Sequence, residues 1–316
     1  MEAGIGIDMG GTRIKIGLVR NGEILASCVI QSSAHVSLEE RLRDIGEHVD
    51  QILQKNHCTP TGVGIAFPGI VDTIENKILS RYVKFPDAQG VNLSQWAQNK
   101  WGIPLALEND ARAALVGEWK FGAGKSCDNL VLITLGTGVG TAALINGRLL
   151  HGKHYLAGSL GGHMSINLHG DVCNCGNLGC VESEASTWAL QKIAARYPDF
   201  NGSALAKEPE LNFDLVFSHA KNGDGTAIAI RDHALVAWTL AIINLIHAYD
   251  PERIVIGGGI MKSKELIVPF VQNMIKKDTW INDHVIDLVP AEHVEYAGIL
   301  GMCHLITVNN SSKPAL

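Results

Sequence analysis

Three cysteines and a histidine in the middle of this sequence have the spacing of ligands for one metal ion. Cys173, Cys175 and Cys180 lie close together, and His163 precedes them by one short loop. Three thiolates and an imidazole complete the tetrahedral shell that Zn²⁺ prefers, and they leave no coordination position for water. We therefore predict a structural zinc site at these four residues, with a chance group of buried thiols as the alternative.

An aspartate followed by a glycine-rich turn lies near the first residue of the chain. Asp8 ends an apolar stretch, and Gly10, Gly11 and Thr12 form the turn that follows it. Where glycine removes the Cβ atom, backbone N–H groups can approach phosphate oxygens, and a nearby carboxylate suits Mg²⁺. We predict that Asp8 and this turn, with Lys15, bind Mg²⁺ and the phosphates of a nucleoside triphosphate. The alternative is an ordinary hairpin turn with a solvated aspartate.

The same β-hairpin occurs a second time, 125 residues further along the chain. Gly4–Leu25 aligns with Asn129–Leu150, and both copies pass through a Gly/Thr turn and reverse again at Asn-Gly. The identical pairs are Gly11 and Gly136, Thr12 and Thr137, Asn21 and Asn146, Gly22 and Gly147, and Leu25 and Leu150. A repeat of this length indicates a duplicated domain. We assign the second turn, Gly136, Thr137 and Gly138, to the same phosphates.

Two further groups of polar or glycine residues each follow a predicted strand. Asp110 lies where a strand meets a helix, and a carboxylate there could orient an attacking hydroxyl and accept its proton during phosphoryl transfer. Alternatively, Asn109 or Asp110 is the N-cap of the helix, and the two roles are compatible. Gly257, Gly258 and Gly259 would let an adenine ring lie against the backbone, although three glycines are also typical of a plain loop.

Periodic patterns of apolar residues predict the elements that carry these groups. Ser37-x-x-Glu40 is a capping box before a helix that extends to Lys55. Further helices are predicted over Ala111–Trp119, Glu184–Arg196, Thr226–Tyr249 and Gly298–Leu305, and strands over Gly62–Phe67, Leu105–Leu107 and Arg253–Ile256. This mixture of strands and helices indicates an α/β protein.

Composition limits the classes of function. A chain of 316 residues is long enough for two domains, and 46% hydrophobic residues with 34 glycines fit an α/β enzyme. A net charge of −6 without a Lys/Arg cluster argues against nucleic acid as a partner. The longest apolar stretch, Ala234–Ala248, is too short for a membrane span. No secretory signal is recognisable, so we expect a cytoplasmic protein with metal-binding cysteines.

Taken in order along the chain, these motifs resemble the ROK family of bacterial sugar kinases and related repressors, within the actin/hexokinase superfamily. The residues that carry the resemblance are Asp8, Gly10–Thr12, Pro68-Gly69, Glu108–Asp110, Leu135–Gly140, His163 with the three cysteines, Glu182 and Gly257–Gly259. The resemblance implies an α/β fold of two ribonuclease-H-like domains around a nucleotide and sugar cleft. We expect residues 1–117, with a returning helix in 298–316, to form the first domain and residues 118–297 the second, zinc-carrying domain.

The resemblance also implies roles for single residues. Asp110 would be the general base for a sugar hydroxyl, and Gly69, Asn109, His163 and Glu182 would contact the sugar. ATP, Mg²⁺ and structural Zn²⁺ would be the cofactors, and the chain would form a dimer or tetramer. These roles predict an ATP-dependent kinase that phosphorylates a hexose or an N-acylhexosamine at C6.

One position departs from the family pattern. The family reads Glu-x-Gly-His at the zinc histidine, whereas Leu160 stands here in place of that glutamate. The sugar site has therefore lost a charge-assisted acceptor, and the sugar preference of better-known relatives does not carry over.

Two alternative functions differ from a kinase in what they require. A sugar-responsive repressor of the same family would need a DNA-binding module, for which the strand starting at Gly4 leaves no room. An actin-like ATPase would need neither Asn109-Asp110 nor the zinc loop.

Overall fold

The protein, described by a computed structural model over residues 3–32, 36–278, 280 and 286–311, divides into two compact units. The first, unit 1, consists of Met1–Ser126, His151–Ala157 and Glu292–Leu316, and the second, unit 2, consists of Cys127–Leu150 and Gly158–Ala291. The expected boundary after residue 117 differs from this division, because it falls inside a helix that belongs to unit 1 as a whole. The last helix belongs to unit 1, and its expected residues 312–316 lie outside the described residues.

Helices and strands alternate along the chain. In chain order they are β1 (Ala3–Met9), β2 (Arg13–Arg20), β3 (Glu23–Gln31), α1 (Leu38–Lys55), β4 (Pro60–Phe67), β5 (Val71–Asp72), β6 (Lys77–Ile78), α2 (Leu93–Trp101), β7 (Leu105–Asn109), α3 (Asp110–Phe121), β8 (Leu130–Leu135), β9 (Val139–Ile145), β10 (Arg148–Leu149), α4 (Val181–Ala185), α5 (Leu190–Ala195), α6 (Phe213–Lys221), α7 (Gly225–Tyr249), β11 (Arg253–Gly257), α8 (Lys264–Asp278), β12 (Asp287–Pro290) and α9 (Ala297–Ser311).

Each unit contains a five-stranded sheet, and the two sheets have the same strand order. Unit 1 has the order β3-β2-β1-β4-β7, and unit 2 has the order β10-β9-β8-β11-β12. In both sheets the first three strands are antiparallel neighbours and the last three are parallel. The shared order confirms the duplication that the repeated hairpin predicts, since β1–β2 and β8–β9 are the two copies.

Helix α1 begins at the predicted capping box. The hydroxyl of Ser37 accepts from the backbone N–H of Glu40 at 3.2 Å, and the Glu40 carboxylate accepts from the N–H of Ser37 at 3.3 Å. Leu42, Ile45 and Val49 then recur on the buried face of the helix and pack against the sheet of unit 1. The periodicity therefore identifies both the helix and its buried face.

Helix α9 packs very closely inside unit 1 because glycines lie both on α9 and on the strand beside it. A Cβ atom on Gly6 of β1 would lie 2.6 Å from the carbonyl oxygen of Ile299. A Cβ atom on Gly301 of α9 would lie 1.8 Å from the carbonyl oxygen of Ala113 in α3. Real Cβ atoms do not approach backbone oxygens this closely, so glycine is required at both positions.

The predicted helix over Glu184–Arg196 is wrong, because the structure breaks it into α4 and α5. The backbone N–H groups of Thr187 and Trp188, which a continuous helix would use internally, donate to the carbonyls of Gly136 and Thr137 at 3.1 and 3.2 Å. Tertiary hydrogen bonds therefore replace the helical ones at the break.

Helix α7 is the element that the sequence predicts over Thr226–Tyr249. It is long and apolar enough to cross a membrane by length and composition alone, but most of its apolar stretch is buried inside unit 2. Trp238, fully buried, donates its indole N–H to the carbonyl of Ala185 at 2.8 Å. The helix is therefore the core helix of unit 2.

We expect Gly301→Ala to lower the free energy of unfolding by about 1–3 kcal/mol, because the added methyl group forces α9 away from α3. Alanine has a higher helix propensity than glycine, so propensity alone would raise the free energy of unfolding. A net decrease therefore reports the steric effect. Gly90→Ala is the control, since a Cβ atom there meets nothing within 4 Å. Urea unfolding followed by circular dichroism measures both variants, and equal stability of Gly301→Ala and the parent protein would contradict the packing argument.

Candidate active site

In unit 1, two carboxylates lie at the ends of parallel strands. Asp8 is near the end of β1, and Lys15 on β2 lies directly opposite it in the antiparallel register. Asp110 follows β7 as the first residue of α3. Because β1, β4 and β7 are parallel and adjacent, their carboxyl ends share one edge of the sheet, which places both aspartates there.

Asp110 is held by local hydrogen bonds. Its Oδ1 accepts from the backbone N–H of Ala111 at 2.8 Å and from the side-chain amide of Asn109 at 2.9 Å. Asn109 is the N-cap of α3, because its Oδ1 accepts from the N–H of Arg112 at 3.2 Å, and its amide also donates to the carbonyl of Gly69 at 3.1 Å. Asn109 is therefore the residue that caps α3, and its side-chain amide orients Asp110.

The carboxylates of Asp8 and Asp110 are both in an environment that favours their protonated forms. Burial, followed by the charge of Asp8, raises the pKa of Asp110 to about 7. Burial also raises the pKa of Asp8, against the opposing charge of Lys15. The hydroxyl of Tyr82 lies nearby, and burial together with the charge of Asp110 raises its pKa to about 12. Two neighbouring carboxylates with raised pKa values are a favourable place for a divalent cation, so this donor set fits Mg²⁺.

The first glycine turn is close to these carboxylates, but Lys15 is engaged elsewhere in unit 1. A Cβ atom on Gly11 would lie 3.5 Å from the hydroxyl of Tyr82, the group whose pKa responds to Asp110. The ammonium of Lys15 donates to the carbonyl of Glu295 at 2.9 Å and pairs with its carboxylate at 3.0 Å. A phosphate contact by Lys15 would require this ion pair to open.

A buried ionic network behind Asn109 was not recognised from the sequence. Glu108 is 2% exposed, and its carboxylate accepts from the backbone N–H of Asn109 and contacts Nε2 of His151, each at 2.8 Å. Arg112, fully buried, donates to the carbonyls of Tyr155 and Ala157 at 3.0 and 2.7 Å. The network holds the segment His151–Ala157 on unit 1 and fixes the backbone next to Asp110.

In unit 2, the two glycine motifs meet at the ends of adjacent strands. Gly257 pairs with Thr134 in the parallel register of β11 and β8. Gly258 has a φ of 92°, and a Cβ atom on it would lie 2.2 Å from the carbonyl oxygen of Leu135. A Cβ atom on Gly136 would lie 4.0 Å from the backbone nitrogen of Gly259. The structure therefore brings the second glycine turn, Gly136–Gly138, next to Gly257–Gly259.

The side chain of Glu182 lies directly beside the second glycine turn. Its Oε2 accepts from the backbone N–H of Val139 at 2.9 Å, and its Oε1 accepts from the indole N–H of Trp188 at 3.0 Å. A Cβ atom on Gly138 would lie 2.6 Å from Oε2, so the glycine leaves room for the carboxylate. Within unit 2, both oxygens of Glu182 thus have donors at or near this turn.

The histidine of the cysteine cluster lies in a short 3-10 turn, Gly161–His163, against the start of β9. A Cβ atom on Gly162 would lie 1.9 Å from the carbonyl oxygen of Val139, and Gly161 donates its N–H to the hydroxyl of Thr141 at 2.8 Å. Leu160, half-buried, caps this turn and accepts the N–H of His163 with its carbonyl at 2.9 Å.

The four predicted zinc ligands are brought together in unit 2. Sγ of Cys173 is 3.6 Å from Nδ1 of His163, Sγ of Cys175 is 3.7 Å from Sγ of Cys180, and all four ligand atoms lie within 4.8 Å of one another. Ligands bound tetrahedrally at about 2.0–2.3 Å from Zn²⁺ are separated by about 3.5–3.8 Å. Burial raises the pKa of the Cys180 thiol, so a cation is needed to hold its thiolate. The donor set and spacing fit zinc.

The sequence matches one protein family over almost its whole length. A model of the ROK family matches residues 4–308. The chain belongs to the ROK family. It is 34% identical over 311 residues to the glucokinase of Thermotoga maritima, with 96% of each chain covered. It is also 27% identical to the xylose repressor of Bacillus subtilis, over 88% of this chain and 69% of the repressor.

A solved structure extends the relation to the fold. A ROK family glucokinase from Streptomyces griseus, in complex with glucose and AMPPNP, is 26% identical, with a TM-score of 0.79 over 96% of this chain and 98% of that one. Both units of this ROK protein therefore have the expected duplicated fold of the actin/hexokinase superfamily.

We expect purified protein to contain about one Zn²⁺ per chain, bound by the ligand set described above. Cys175→Ser removes one thiolate and should lose the metal, whereas Cys28→Ser, outside the cluster in unit 1, should keep it. Elemental analysis after extensive dialysis makes the measurement. Active protein without zinc would contradict the assignment.

The raised pKa of Asp110 also predicts how stability depends on pH. The native state binds the Asp110 proton more tightly than the unfolded chain, whose ordinary value is 3.8, so stability is lost as the pH rises toward about 7. Asp110→Asn removes this loss, and we expect the variant to melt at an equal or higher temperature than the parent protein at pH 8, with a smaller difference near pH 4. Melting curves without divalent cations test this, and a lower midpoint for the variant at pH 8 would refute it.

Proposed function

We propose that this ROK protein is an ATP-dependent sugar kinase that transfers the γ-phosphate of ATP to the C6 hydroxyl of a hexose or an N-acylhexosamine. The observation that supports this most directly is the position of Asp110, a carboxylate with a pKa raised to about 7 beside an oriented amide. A sequence identity of 34% to a glucokinase, over almost the whole chain, also supports a sugar kinase. We expect the enzyme to act as a cytoplasmic homo-oligomer.

The residues of unit 1 would prepare the acceptor hydroxyl. Asp110 would accept its proton as the hydroxyl oxygen bonds to the γ-phosphorus of ATP and the bond from that phosphorus to the departing ADP oxygen breaks. A base with a pKa near 7 is well matched to neutral pH. Asn109 keeps Asp110 in place through its side-chain amide and would also contact the sugar, as would the backbone at Gly69.

Asp8 would hold the metal ion of the nucleotide. Mg²⁺, when bound, neutralises charge on the transferring phosphoryl group. Because the charge of Asp8 raises the pKa of Asp110, a cation held by Asp8 would lower the cost of ionising the base. Gly10, Gly11 and Thr12 supply backbone N–H groups beside Asp8 for phosphate oxygens.

The residues of unit 2 would bind the rest of the nucleotide and part of the sugar. Gly136, Thr137 and Gly138 offer a second turn for the phosphates, and the adjacent Gly257–Gly259 segment offers a flat backbone surface for adenine. His163 would hold zinc through Nδ1 and leave Nε2 for a sugar hydroxyl.

A sugar-responsive regulator is the second candidate, because the similarity to a xylose repressor covers 88% of this chain. The two candidates differ in turnover. The test is ADP release measured over a panel of hexoses and N-acylhexosamines, with product identified as the sugar 6-phosphate by NMR. If the protein is a kinase, ADP release should depend on the presence of one class of sugar. Sugar binding without ADP release would favour the regulator, and ADP release that is indifferent to sugar would favour an ATPase.

Asp110→Asn should lower turnover by roughly 10²–10⁴ at saturating sugar and ATP, because a positioned base contributes about this much. Asparagine can still accept from Ala111, so the fold and ATP binding should persist. Asp199→Asn, at an exposed aspartate of unit 2, is the control and should keep normal turnover. Near-normal turnover of Asp110→Asn would show that this aspartate only helps to start the helix.

Leu160→Glu should tighten glucose binding or shift the sugar preference. An apolar side chain cannot accept the hydroxyl bonds of a carboxylate, and an unpaired buried polar group costs about 1–3 kcal/mol. The parent protein should therefore bind glucose weakly and tolerate changes at the hydroxyl concerned. The sugar panel, run on both proteins, makes the comparison. Identical preference profiles would show that position 160 does not line the sugar site.

A further inference from the structure

The loop that carries the cysteines folds around a buried carboxylate of α4. Glu184 is 1% exposed, and its carboxylate accepts from Nη1 and Nη2 of Arg196 at 2.9 and 3.1 Å. The side-chain amide of Asn167 donates to it at 3.3 Å, and Nε2 of His233 lies 3.1 Å from its Oε2. Because an unpaired buried charge is costly, these partners must stay in place around the carboxylate.

The guanidinium of Arg196 connects Glu184 to the loop on both sides of the cysteine cluster. Its Nε and Nη2 donate to Oδ2 of Asp171 at 3.2 and 2.6 Å, and Asp171 lies two residues before the first cysteine of the cluster. The carbonyl of Asp171 in turn accepts the N–H of Gly179 at 2.9 Å, directly before the last cysteine. One ion pair therefore fixes the backbone where it enters the cluster and where it leaves.

Two glycines allow the loop to close over this carboxylate. A Cβ atom on Gly170 would lie 2.5 Å from Oε1 of Glu184 and 2.6 Å from Cα of Gly179. Gly179 has a φ of 58°, and a Cβ atom on it would lie 1.7 Å from the carbonyl oxygen of Asn167. The two stretches of the loop therefore meet beside Glu184, at a separation that the carboxylate and its partners set.

We propose that Glu184 and Arg196 are positioning residues for the zinc site, which hold the stretches that carry Cys173 and Cys180 at the separation that the metal requires. Neither side chain is among the four predicted ligands. Ligands held in place beforehand lose less conformational freedom on binding, so a fixed loop binds the metal more tightly. The inference goes beyond the proposed kinase activity and rests on the predicted zinc site.

The alternative is that this ion pair only stabilises unit 2 as a whole. The two explanations differ in the zinc affinity of folded protein. A general loss of stability leaves the ligand geometry of the folded molecules unchanged, and their zinc affinity with it. Loss of the loop geometry weakens zinc binding by protein that is still folded.

The experiment measures the zinc dissociation constant of the full chain by competition with the chromogenic chelator pyridylazoresorcinol. Glu184→Gln keeps the size of the side chain but presents an NH₂ group to Arg196 in place of one acceptor. We expect it to bind zinc about tenfold more weakly, at the low end of the roughly 10–100-fold that groups orienting metal ligands contribute. Arg196→Lys keeps the charge but lacks the planar fork that reaches both carboxylates, so it should weaken zinc binding in the same way.

Two control variants separate positioning from charge and from overall stability. Glu210→Gln, at an exposed glutamate of unit 2, should bind zinc within about twofold of the parent protein. Ile267→Val, at a fully buried residue of α8, should lower the urea midpoint of unfolding and keep the zinc affinity of the parent protein.

Each remaining outcome is decisive. Zinc binding by Glu184→Gln within about twofold of the parent protein would overturn the proposal. Equal weakening by Ile267→Val would also overturn it, because zinc affinity would then follow overall stability. If Glu184→Gln does not fold, Arg196→Lys decides the question by the same criteria. A parent protein that binds no zinc would refute both the zinc site and this proposal, whereas the proposed kinase activity is tested separately by the sugar panel.

Discussion

The repulsion between Asp8 and Asp110 is the constraint on which the chemistry of unit 1 depends. Both carboxylates lie at the carboxyl edge of one sheet, and burial makes their ionised forms costly. The protein compensates this cost only in part, through Lys15 opposite Asp8 and through the donors of Ala111 and Asn109 at Asp110. A site that holds two such carboxylates without full compensation is poised to bind a cation and to accept a proton.

The two copies of the hairpin have the same strand arrangement but differ in their charged residues. With the offset of 125 residues, Asp8 corresponds to Ile133 and Lys15 to Gly140, so the charged pair of unit 1 is absent from the second copy. Unit 2 instead carries a turn fixed from outside by Glu182 and by the backbone of residues 187–188. The same strand order thus carries the charged pair Asp8 and Lys15 in unit 1 and a turn held by hydrogen bonds from a separate segment in unit 2.

Features that depend on neighbouring residues could be predicted from the sequence. The predicted zinc ligands lie within one short stretch, so their spacing alone marks them as a group, and the structure brings them together. Strand ends and glycine turns identify the other candidate positions, because parallel strands bring their carboxyl ends together. The hydrogen bond between Glu108 and His151 joins residues 43 positions apart, and no local pattern marks it. Likewise, the helix breaks after α4 because the backbone N–H groups of Thr187 and Trp188 donate to carbonyls of the turn that begins at Gly136. Helix periodicity cannot reveal hydrogen bonds to residues so far away in the sequence.

The ionisation of Asp110 tests the central claim most directly. Protein labelled with ¹³C at the aspartate carboxyl carbons can be titrated by NMR without divalent cations, with the Asp110 signal assigned by its absence from Asp110→Asn. The structure predicts that Asp110 titrates near pH 7 and that its midpoint falls in Asp8→Asn, because the neighbouring charge is gone. A midpoint near 3.8 in the parent protein, or one that Asp8→Asn leaves unchanged, would contradict the coupling of the two carboxylates.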